Sequence, residues 1–262
     1  MRNKKNVLFN FGKNWQAYSA HSLNNQKFNE ALNSLKELIG EDKIKNSKFL
    51  DIGCGSGVFA IAASKIGAKE TVGIDISKES ISALLQNQKK FTSPKKVKFF
   101  CRSILDKDIF NLGQFDIVYS WGVLHHTGKM WKAIENSLDL VKRNGLLVLA
   151  IYNKHWSSPF WKMIKRFYNF SPIFIKKTLV FIFYWVIALT KLIIAKKNPL
   201  KNKRRGMSFY YDIIDWLGGY PYEYAPKDEI KNFIEKKKFK LIKFVKAPVP
   251  TGCNEFVFQQ IP

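Results

Sequence analysis

The sequence predicts an α/β fold built around a mostly parallel sheet. Short apolar runs such as Lys48–Ile52 alternate with segments of helical periodicity such as Val58–Ile66, at the spacing typical of right-handed βαβ crossovers. The first of these runs leads directly into a glycine-rich turn, which is typical of a ligand-binding strand end. A chain of 262 residues that is 46% hydrophobic can bury the core of one such domain with an addition.

The elements follow one another in a readable order. Asn25–Ile39 carries apolar residues at helical spacing and leads to the first strand, and Ser77 is a plausible N-cap for a later helix. The remaining elements are predicted as helix Val58–Ile66, strand Thr71–Ile74, helix Lys78–Lys90, strands Val97–Cys101 and Phe115–Ser120, helix Trp131–Val141, strand Leu146–Ile151, helix Asp228–Lys238, and strands Phe239–Phe244 and Asn254–Phe258. The expected organisation is a helical or lid segment over 1–46, a ligand-binding core over 47–152, an insertion over 153–205, and substrate loops with closing strands over 206–262.

The turn after the first strand predicts an adenosine pocket. Its glycines, Gly53, Gly55 and Gly57, allow positive φ and close backbone approach, and the helix that follows offers free N–H groups. The second strand ends in Asp75, where a carboxylate can bind ribose hydroxyls. Asp51 lies just before the glycines, where it would repel a pyrophosphate but suit a cationic ligand. The two carboxylates therefore favour S-adenosylmethionine (SAM) over a dinucleotide.

At these residues the chain resembles class I SAM-dependent methyltransferases. Phe115–His126 is similar to the family's fourth strand and the loop that faces the methyl group, and Gly145–Ile151 is similar to its fifth strand. The resemblance covers the first half of the chain. It implies a Rossmann-like, seven-stranded mixed sheet in the order 3-2-1-4-5-7-6, with helices on both faces and a helical insertion after strand 5.

The resemblance also implies roles for the residues at matching positions. Asp51 would fix the methionine amino end, Asp75 would accept both ribose hydroxyls, and Ile76 would cover one face of the adenine. Ser103 stands where many relatives keep an acid for the adenine amino group. The full set of expected cofactor-binding residues is Asp51, Gly53, Gly55, Gly57, Asp75, Ile76, Ser103, Ile104, Ser120 and Trp121.

Two adjacent histidines, His125 and His126, are the candidate catalytic residues. A histidine titrates near neutrality and can take a proton from a hydroxyl as its oxygen attacks the sulfonium methyl. Because the sulfide is already a good leaving group, positioning of the acceptor alone is the alternative source of rate acceleration. One of the two is expected to cap the following turn, and His125 is preferred as the residue that reaches substrate.

Three further segments resemble a narrower group of uncharacterised bacterial methyltransferases with a Gly-Val-Leu-His-His loop. They are Phe11–Trp15, Arg205–Glu223 and Gly252–Phe256. Dense aromatic, glycine and acidic residues in predicted loops favour a substrate pocket, and packing of the loops against the insertion is the alternative. The candidate substrate residues are Trp15, Tyr18, Tyr152, Arg205, Asp212, Tyr220 and Asn254.

The net charge of +24 is concentrated in one part of the chain. Between Asp139 and Asp212 there is no carboxylate side chain, although that stretch carries fifteen Lys and Arg residues. A general lysine bias explains abundant lysine but not the missing acids. The block therefore predicts an anionic partner, which is a phospholipid, a nucleic acid or a phosphorylated small molecule.

The insertion contains an uncharged run, Thr178–Thr190, with lysines on both sides. Its thirteen residues fall short of the about 20 that a membrane span needs. A lid packed over the active site is the preferred interpretation, a helix lying at a membrane surface is the alternative, and a membrane hairpin or span is the third.

The three cysteines, Cys54, Cys101 and Cys253, are odd in number and widely spaced. This spacing favours neither a disulfide framework nor a zinc site, so no metal is expected. The basic N-terminus is followed by no adequate apolar run, and no secretory signal is predicted. The expected location is the cytoplasm, with a peripheral position at the inner face of the membrane as the alternative.

These observations predict a SAM-dependent methyltransferase that releases S-adenosylhomocysteine (SAH). The expected acceptor is an oxygen, with nitrogen second, of a small anionic, phosphorylated or sugar-linked metabolite. The alternative is a membrane-surface enzyme acting on a prenylated quinol or lipid-linked sugar. An RNA methyltransferase is disfavoured because the Ser-Trp-Gly-Val loop lacks an Asn/Asp-Pro-Pro-aromatic sequence and no RNA-binding module is apparent. A non-catalytic SAM-fold protein is disfavoured by the intact cofactor residues.

Overall fold

One seven-stranded sheet organises the molecule, in the order β3-β2-β1-β4-β5-β7-β6. The computed structural model describes residues 9–91, 97–193 and 208–262. The strands are β1 Lys48–Ile52, β2 Glu70–Asp75, β3 Lys98–Cys101, β4 Phe115–Trp121, β5 Val141–Tyr152, β6 Phe239–Val245 and β7 Cys253–Gln260. The first five strands are parallel, and β7 runs antiparallel to both of its neighbours. The predicted order and the mixed character of the sheet are confirmed.

Helices cover both faces of the sheet. In the described residues they are α1 Phe11–His21, α2 Asn25–Ile39, α3 Glu41–Ile44, α4 Val58–Ile66, α5 Lys78–Phe91, α6 Met130–Asp139, α7 Ser158–Phe170, α8 Ile173–Ile193, α9 Phe209–Gly218 and α10 Lys227–Glu235. One buried cluster, including Phe49 and Ile61, fills the side of α2 and α4. A second, including Leu50 and Ile134, fills the side of α6 and α10. Burial on both faces explains why the central strands are nearly continuous apolar runs.

The start of β5 differs from the sequence prediction. Helix α6 ends at Asp139, and the strand begins at Val141, where a helix was expected to continue. Val141 pairs with Phe115 and Leu146 pairs with Ile117, so the register of the two strands shifts between these positions. Asn144 takes up the bend with φ of +63°. A bulge of this kind inserts extra residues that periodicity alone does not reveal.

A segment expected to be a loop is helical. Helix α9 buries Phe209, Ile213 and Leu217, which recur every four residues on one face. It packs with α7 and α8 around a third, smaller core that includes Tyr168 and Val180. We call this group of three helices the cap. The apolar spacing in α9 was the available signal, and the surrounding glycines and tyrosines obscured it.

The carboxyl ends of the parallel strands meet at one edge of the sheet. Asp51 lies level with Tyr119 of β4, and Asp75 lies level with Cys101 of β3. On the far side, Tyr152 at the end of β5 pairs with Cys253 at the start of β7. Ligands of open α/β sheets bind at this edge, so the candidate site is sought there.

Candidate active site

The glycine turn after β1 adopts a backbone that a side chain would disrupt. Gly53 and Gly55 have φ of +69° and +52°. A Cβ on Gly53 would lie 2.4 Å from Val123 Cγ1, and one on Gly55 would lie 3.0 Å from Trp15 Nε1. Gly57, at φ of +73°, is the residue from which α4 begins. The turn therefore brings bare backbone and the N-terminus of a helix to the strand edge, as a nucleoside ligand requires.

Asp75 is tied to that turn. Its Oδ2 accepts a 2.9 Å hydrogen bond from the Gly55 N–H, and its Oδ1 accepts one of 2.9 Å from the Ser77 N–H. Burial raises the pKa of this carboxyl, and the backbone donors oppose the shift. The next residue, Ile76, leaves 67% of its surface exposed at the mouth of the turn. A fixed carboxylate beside an exposed apolar side chain fits a ribose with its adenine.

The strands on either side supply the opposite end of this pocket. Asp51 is only 3% exposed at the end of β1. Ser120 is buried, and its Oγ donates a 3.3 Å hydrogen bond to the Ile52 carbonyl. Trp121 Nε1 donates a 2.9 Å hydrogen bond to Glu255 Oε1 across the sheet. The Ser120 and Trp121 side chains are thus held by the fold, and Asp51 lies beside them at the strand edge.

Ser103 and Ile104 contribute less than the resemblance implies. The Ser103 Oγ accepts a 3.1 Å hydrogen bond from the Leu105 N–H, so its hydroxyl already supports the local turn. Ile104 is buried in the core, and its carbonyl accepts a 2.8 Å hydrogen bond from Asn136 Nδ2. Only the Ser103 hydroxyl proton and the Ile104 N–H are left for an adenine.

The two histidines have different environments. His125 has no exposed surface, and its Nδ1 accepts a 3.3 Å hydrogen bond from the Tyr152 N–H, so the proton lies on Nε2. His126 is half-buried, and its Nδ1 lies 2.7 Å from the Pro221 carbonyl oxygen. Since a carbonyl only accepts, Nδ1 donates this bond and Nε2 carries the lone pair. His126 therefore keeps an Nε2 lone pair on a half-buried ring, whereas His125 is fully enclosed.

Both histidines are neutral in this environment. Burial holds the pKa of His125 well below its usual value, and the neighbouring His126 and Lys165 lower it further because a second positive charge beside them is unfavourable. Burial also lowers the pKa of His126 to about 3, against the opposing effect of its Pro221 hydrogen bond. A residue with so low a pKa accepts a hydrogen bond at neutral pH but is a weak proton acceptor.

A buried group of aromatic side chains lies beside the histidines, under the cap, and we call this group the aromatic pocket. The Tyr152 ring centroid is 4.1 Å from that of His125, 5.5 Å from that of His126 and 5.0 Å from that of Tyr222. Lys165 of α7 closes this group from the cap side. Of the predicted substrate residues, Tyr152 is thus brought to the strand edge, next to the predicted catalytic pair.

The other predicted substrate residues are dispersed. Trp15 covers Gly55 at the cofactor turn, and Tyr18 is buried in the core beside Tyr211. Asn254 is buried, accepts a hydrogen bond from the Ala247 N–H and donates one to Asn153 Oδ1, so it fastens strand ends together. Asp212 lies on α9, the Tyr220 carbonyl accepts a hydrogen bond from the Phe9 N–H, and Arg205 lies outside the described residues.

Sequence reasoning missed the polar residues under the cap. Asn14 Nδ2 donates a 2.6 Å hydrogen bond to Asp215 Oδ1, and burial raises the pKa of that carboxyl to about 8. The Lys165 ammonium donates to the Trp216 carbonyl. A lysine among the apolar positions of Ser158–Phe170 was the one signal in the sequence for this cluster.

The family comparison agrees with this geometry. A family profile described as a methyltransferase domain matches residues 23–193. The chain belongs to this family. The magnesium protoporphyrin IX methyltransferase of Synechocystis PCC 6803, solved with bound SAH, superposes with a TM-score of 0.59 at 14% identity over 95% of this chain and 93% of that one. A SAM-dependent methyltransferase from Clostridium acetobutylicum superposes with a TM-score of 0.54 at 12% identity, over 90% and 92% of the two chains. At these identities the superpositions establish the fold.

Curated relatives share more sequence over a shorter range. The ubiquinone biosynthesis O-methyltransferase of Pelagibacter ubique is 32% identical over 111 residues, 42% of this chain and 44% of that protein. The enzyme of the same name from Nitrobacter winogradskyi is 27% identical over 134 residues, 51% of this chain and 47% of that protein. The chain thus matches about half the length of these relatives. Together with the family match, they show that this chain contains a methyltransferase domain.

This methyltransferase presents its residues to the two reactants from opposite sides of the strand edge. SAM supplies, when bound, a methyl group on a positively charged sulfur. The glycine turn, Asp51 and Asp75 fit its nucleoside and cationic parts. Val123, which packs on Gly53, leads within two residues to the histidines. The aromatic residues around Tyr152 therefore lie close in the fold to the turn that follows β1.

Proposed function

We propose that this methyltransferase works at a membrane surface and methylates a hydroxyl oxygen of a membrane-borne, amphiphilic small molecule. A prenylated quinol is the acceptor class that fits best. The observation that carries the proposal is a broad apolar surface on α7 and α8, close to the aromatic pocket. The enzyme would be peripheral, at the inner face of the membrane.

We call this surface the apolar face. It consists of large hydrophobic side chains that point away from the cap core, with exposed fractions from 47% at Ile182 to 85% at Trp156. Its members are Trp156, Phe160, Met163, Phe167, Phe170, Ile173, Phe174, Phe181, Ile182, Trp185, Val186, Leu189, Leu192 and Ile193. Soluble monomers rarely expose a contiguous apolar patch of this kind, and such patches commonly mark an interaction surface.

The longer helix favours a position in the membrane interface. Among the described residues, one helix is long and apolar enough to cross a bilayer by length and composition, with a mean hydropathy of 1.8 over Ile173–Thr190 and 11% of that window buried. Its inner side is held by the cap, since Val180 and Ala188 are buried and the Tyr184 ring packs against that of Phe209 with centroids 5.0 Å apart. A helix fastened along one side and apolar along the other suits an interfacial position.

The charges around the apolar face complement anionic lipid. Lys162 and Arg166 lie on α7 between members of the face, and Lys176 and Lys177 lie in the first turns of α8. No carboxylate occurs between Asp139 and Asp212 to oppose them. Each basic residue near an anionic surface contributes about 1 kcal/mol, in addition to the burial of the apolar side chains.

The pocket and the relatives support a ring-bearing acceptor. Tyr152, Tyr222 and Trp216 offer aromatic surfaces on which a flat ring can stack. The neutral His126, with its Nε2 lone pair, can accept a hydrogen bond from a ring hydroxyl and orient its oxygen. The relatives named ubiquinone biosynthesis O-methyltransferase make a quinol with a prenyl tail a natural candidate. The first expectation, a small anionic, phosphorylated or sugar-linked metabolite, does not account for the exposure of the apolar face.

Methyl transfer from isotopically labelled SAM tests the proposal. The enzyme is supplied with a prenylated catechol in vesicles of anionic lipid, in vesicles of zwitterionic lipid, and with a tail-free catechol in buffer. We expect methylation of the vesicle-borne acceptor to be at least about tenfold faster on anionic vesicles and to fall with added salt. Equal rates in all three settings, or no methylation of either catechol, would refute the proposal.

A further inference from the structure

Lys165 occupies a position that packing alone does not account for. It lies on α7 facing inward, and only 1% of its surface is exposed. Its ammonium has three N–H donors, and among the described residues its one hydrogen bond is to the Trp216 carbonyl. A buried lysine with a purely structural role normally directs its other donors to acceptors or an ion-pair partner.

The surroundings of the Lys165 ammonium are aromatic. Its Nζ lies 4.9 Å from the Tyr222 ring centroid, 5.0 Å from that of Trp216 and 5.6 Å from that of Tyr152. Within the part of the chain that the structure describes, no carboxylate oxygen lies within ion-pair distance of it. Cation–π contacts stabilise an ammonium, but they leave two of its donors free for a ligand oxygen.

This ammonium faces the predicted catalytic residues. Tyr152, one of the rings around it, packs directly on His125. The His125 Nε2 is buried, and in the described structure it has no hydrogen-bond partner. Two nine-tenths-buried polar groups, one on the cap and one in the turn after β4, thus border the same aromatic pocket with donors left over. Such orphaned groups indicate a polar ligand atom between cap and sheet.

The charge properties of the pocket distinguish Lys165 from the histidines. Burial lowers the pKa of Lys165 to about 7, with Cys253 and Asp215 opposing the shift. His126, at about 3, is too weak a base to remove a hydroxyl proton at neutral pH. A proton acceptor is most effective when its pKa lies near the working pH. Among these three residues Lys165 meets that condition.

We propose that Lys165 binds the acceptor hydroxyl in the aromatic pocket and accepts its proton during methyl transfer. The proton moves from the acceptor oxygen to the neutral amine, while an oxygen lone pair forms the new O–CH₃ bond. The C–S bond breaks with its electrons remaining on sulfur, giving neutral SAH. The ammonium afterwards releases the proton to water. The acceptor class is therefore an ionisable ring hydroxyl, and this assignment rests on the proposed O-methyltransferase function.

A chromogenic phenol tests this role without catalysis. 4-Nitrocatechol changes its visible absorption when it ionises, so it reports whether a bound phenol has lost its proton. In the presence of SAH, we expect the native enzyme to bind it as the phenolate at a pH where the free compound is largely protonated. Lys165→Met should abolish the spectral shift and reduce methyl transfer at least about 100-fold, with SAH affinity unchanged.

Two further variants show whether the effect of Lys165→Met is specific to the amine of this lysine. Lys89→Met makes the same substitution at an exposed position of α5, away from the cap, and should behave as the native enzyme. Lys165→Gln keeps a donor for the Trp216 carbonyl and should fail like Lys165→Met while binding SAH normally. An unchanged spectral shift in Lys165→Met, or no shift in the native enzyme, would overturn the proposal.

The test is also independent of the membrane. If the phenolate shift depends on Lys165 but vesicle-borne catechols are not methylated, the assignment of Lys165 stands and the proposed function fails. If vesicle-borne catechols are methylated at the native rate by Lys165→Met, the function stands and the assignment of Lys165 fails.

Discussion

The Gly55 N–H donates a 2.9 Å hydrogen bond to Asp75 Oδ2, which joins the end of β2 to the turn that follows β1. The bond fixes the carboxylate before any ligand arrives, because the Ser77 N–H holds its other oxygen at the same distance. Each carboxylate oxygen has further lone pairs, so both can also accept from a ribose hydroxyl. The adenosine end of the pocket is therefore preorganised by local backbone.

Replacing Asp75 should weaken cofactor binding. Asp75→Ala removes the charge-assisted hydrogen bonds to the ribose, each contributing about 1.5–3 kcal/mol, so SAH affinity should fall by at least about tenfold. Isothermal calorimetry measures this directly. Asp42→Ala, at an exposed position of α3, is the matched control. Unchanged SAH affinity in Asp75→Ala would show that the cofactor binds elsewhere.

The two histidines should give different defects when replaced. His126→Ala removes a half-buried hydrogen-bond acceptor, so the turnover number should fall about 10- to 100-fold while SAH affinity and stability stay close to native. His125→Ala removes a ring with no exposed surface, so its main effect should be a lower Tm. Steady-state kinetics and thermal unfolding separate the two. A native turnover number in His126→Ala would exclude it from the acceptor site.

The cofactor half of the site was accessible from sequence because it depends on local backbone. Gly53, Gly55 and Asp75 need only their own strand and turn to reach their positions, and the same local rules predict α4 and β1. The bounds of α4 and β1 were predicted correctly. Local consistency between sequence and structure makes such features predictable.

The acceptor half depends on contacts between distant segments. Lys165 meets Tyr222 and the Trp216 carbonyl only after the cap folds onto the sheet. Asn254 carries a side chain typical of a binding site, yet its partners, Ala247 and Asn153, use both ends of its amide. Periodicity in one segment cannot reveal which side chains a distant segment will cover.

Lys165→Met should stabilise the protein, most of all below neutral pH. The groups near this lysine that titrate are His125, His126, Tyr152, Asp215, Tyr222 and Cys253. Its pKa falls from 10.5 in the unfolded chain to about 7 in the fold. Between these values the unfolded chain binds the extra proton, so native stability rises with pH there. Below about pH 7 the lysine is charged in the folded protein, and the full free-energy penalty of burying that charge lowers its stability.

Urea unfolding at several pH values measures how the stability difference between the two proteins depends on pH. At about pH 6 the free energy of unfolding of Lys165→Met should exceed that of the native enzyme by about 1–2 kcal/mol, and the difference should shrink toward pH 10. Lys162→Met, whose lysine is exposed, should show no such dependence. A difference that grew as the pH rose would mean that Lys165 is charged and favourably paired in the fold.

The apolar face should govern vesicle binding separately from charge. Phe167 and Trp185 are both about half exposed, at 55% and 51%, on α7 and α8. Each aromatic side chain withdrawn from the interface should cost about 1.5–3 kcal/mol of binding free energy. Phe167→Glu combined with Trp185→Glu should therefore reduce flotation with anionic vesicles at least about tenfold.

Phe110→Glu is the control variant. It changes an aromatic residue that is 43% exposed in the segment before β4, and it should float like the native protein. High salt should weaken binding of the native protein by screening its lysines, but it should not remove the difference between the native protein and the double variant, since that difference is apolar. SAH affinity should be native in both variants, because none of the substitutions contacts the glycine turn or Asp75. Equal flotation of the native protein and the double variant would show that the apolar face does not meet the membrane, whereas loss of binding in high salt alone would assign the attachment to charge.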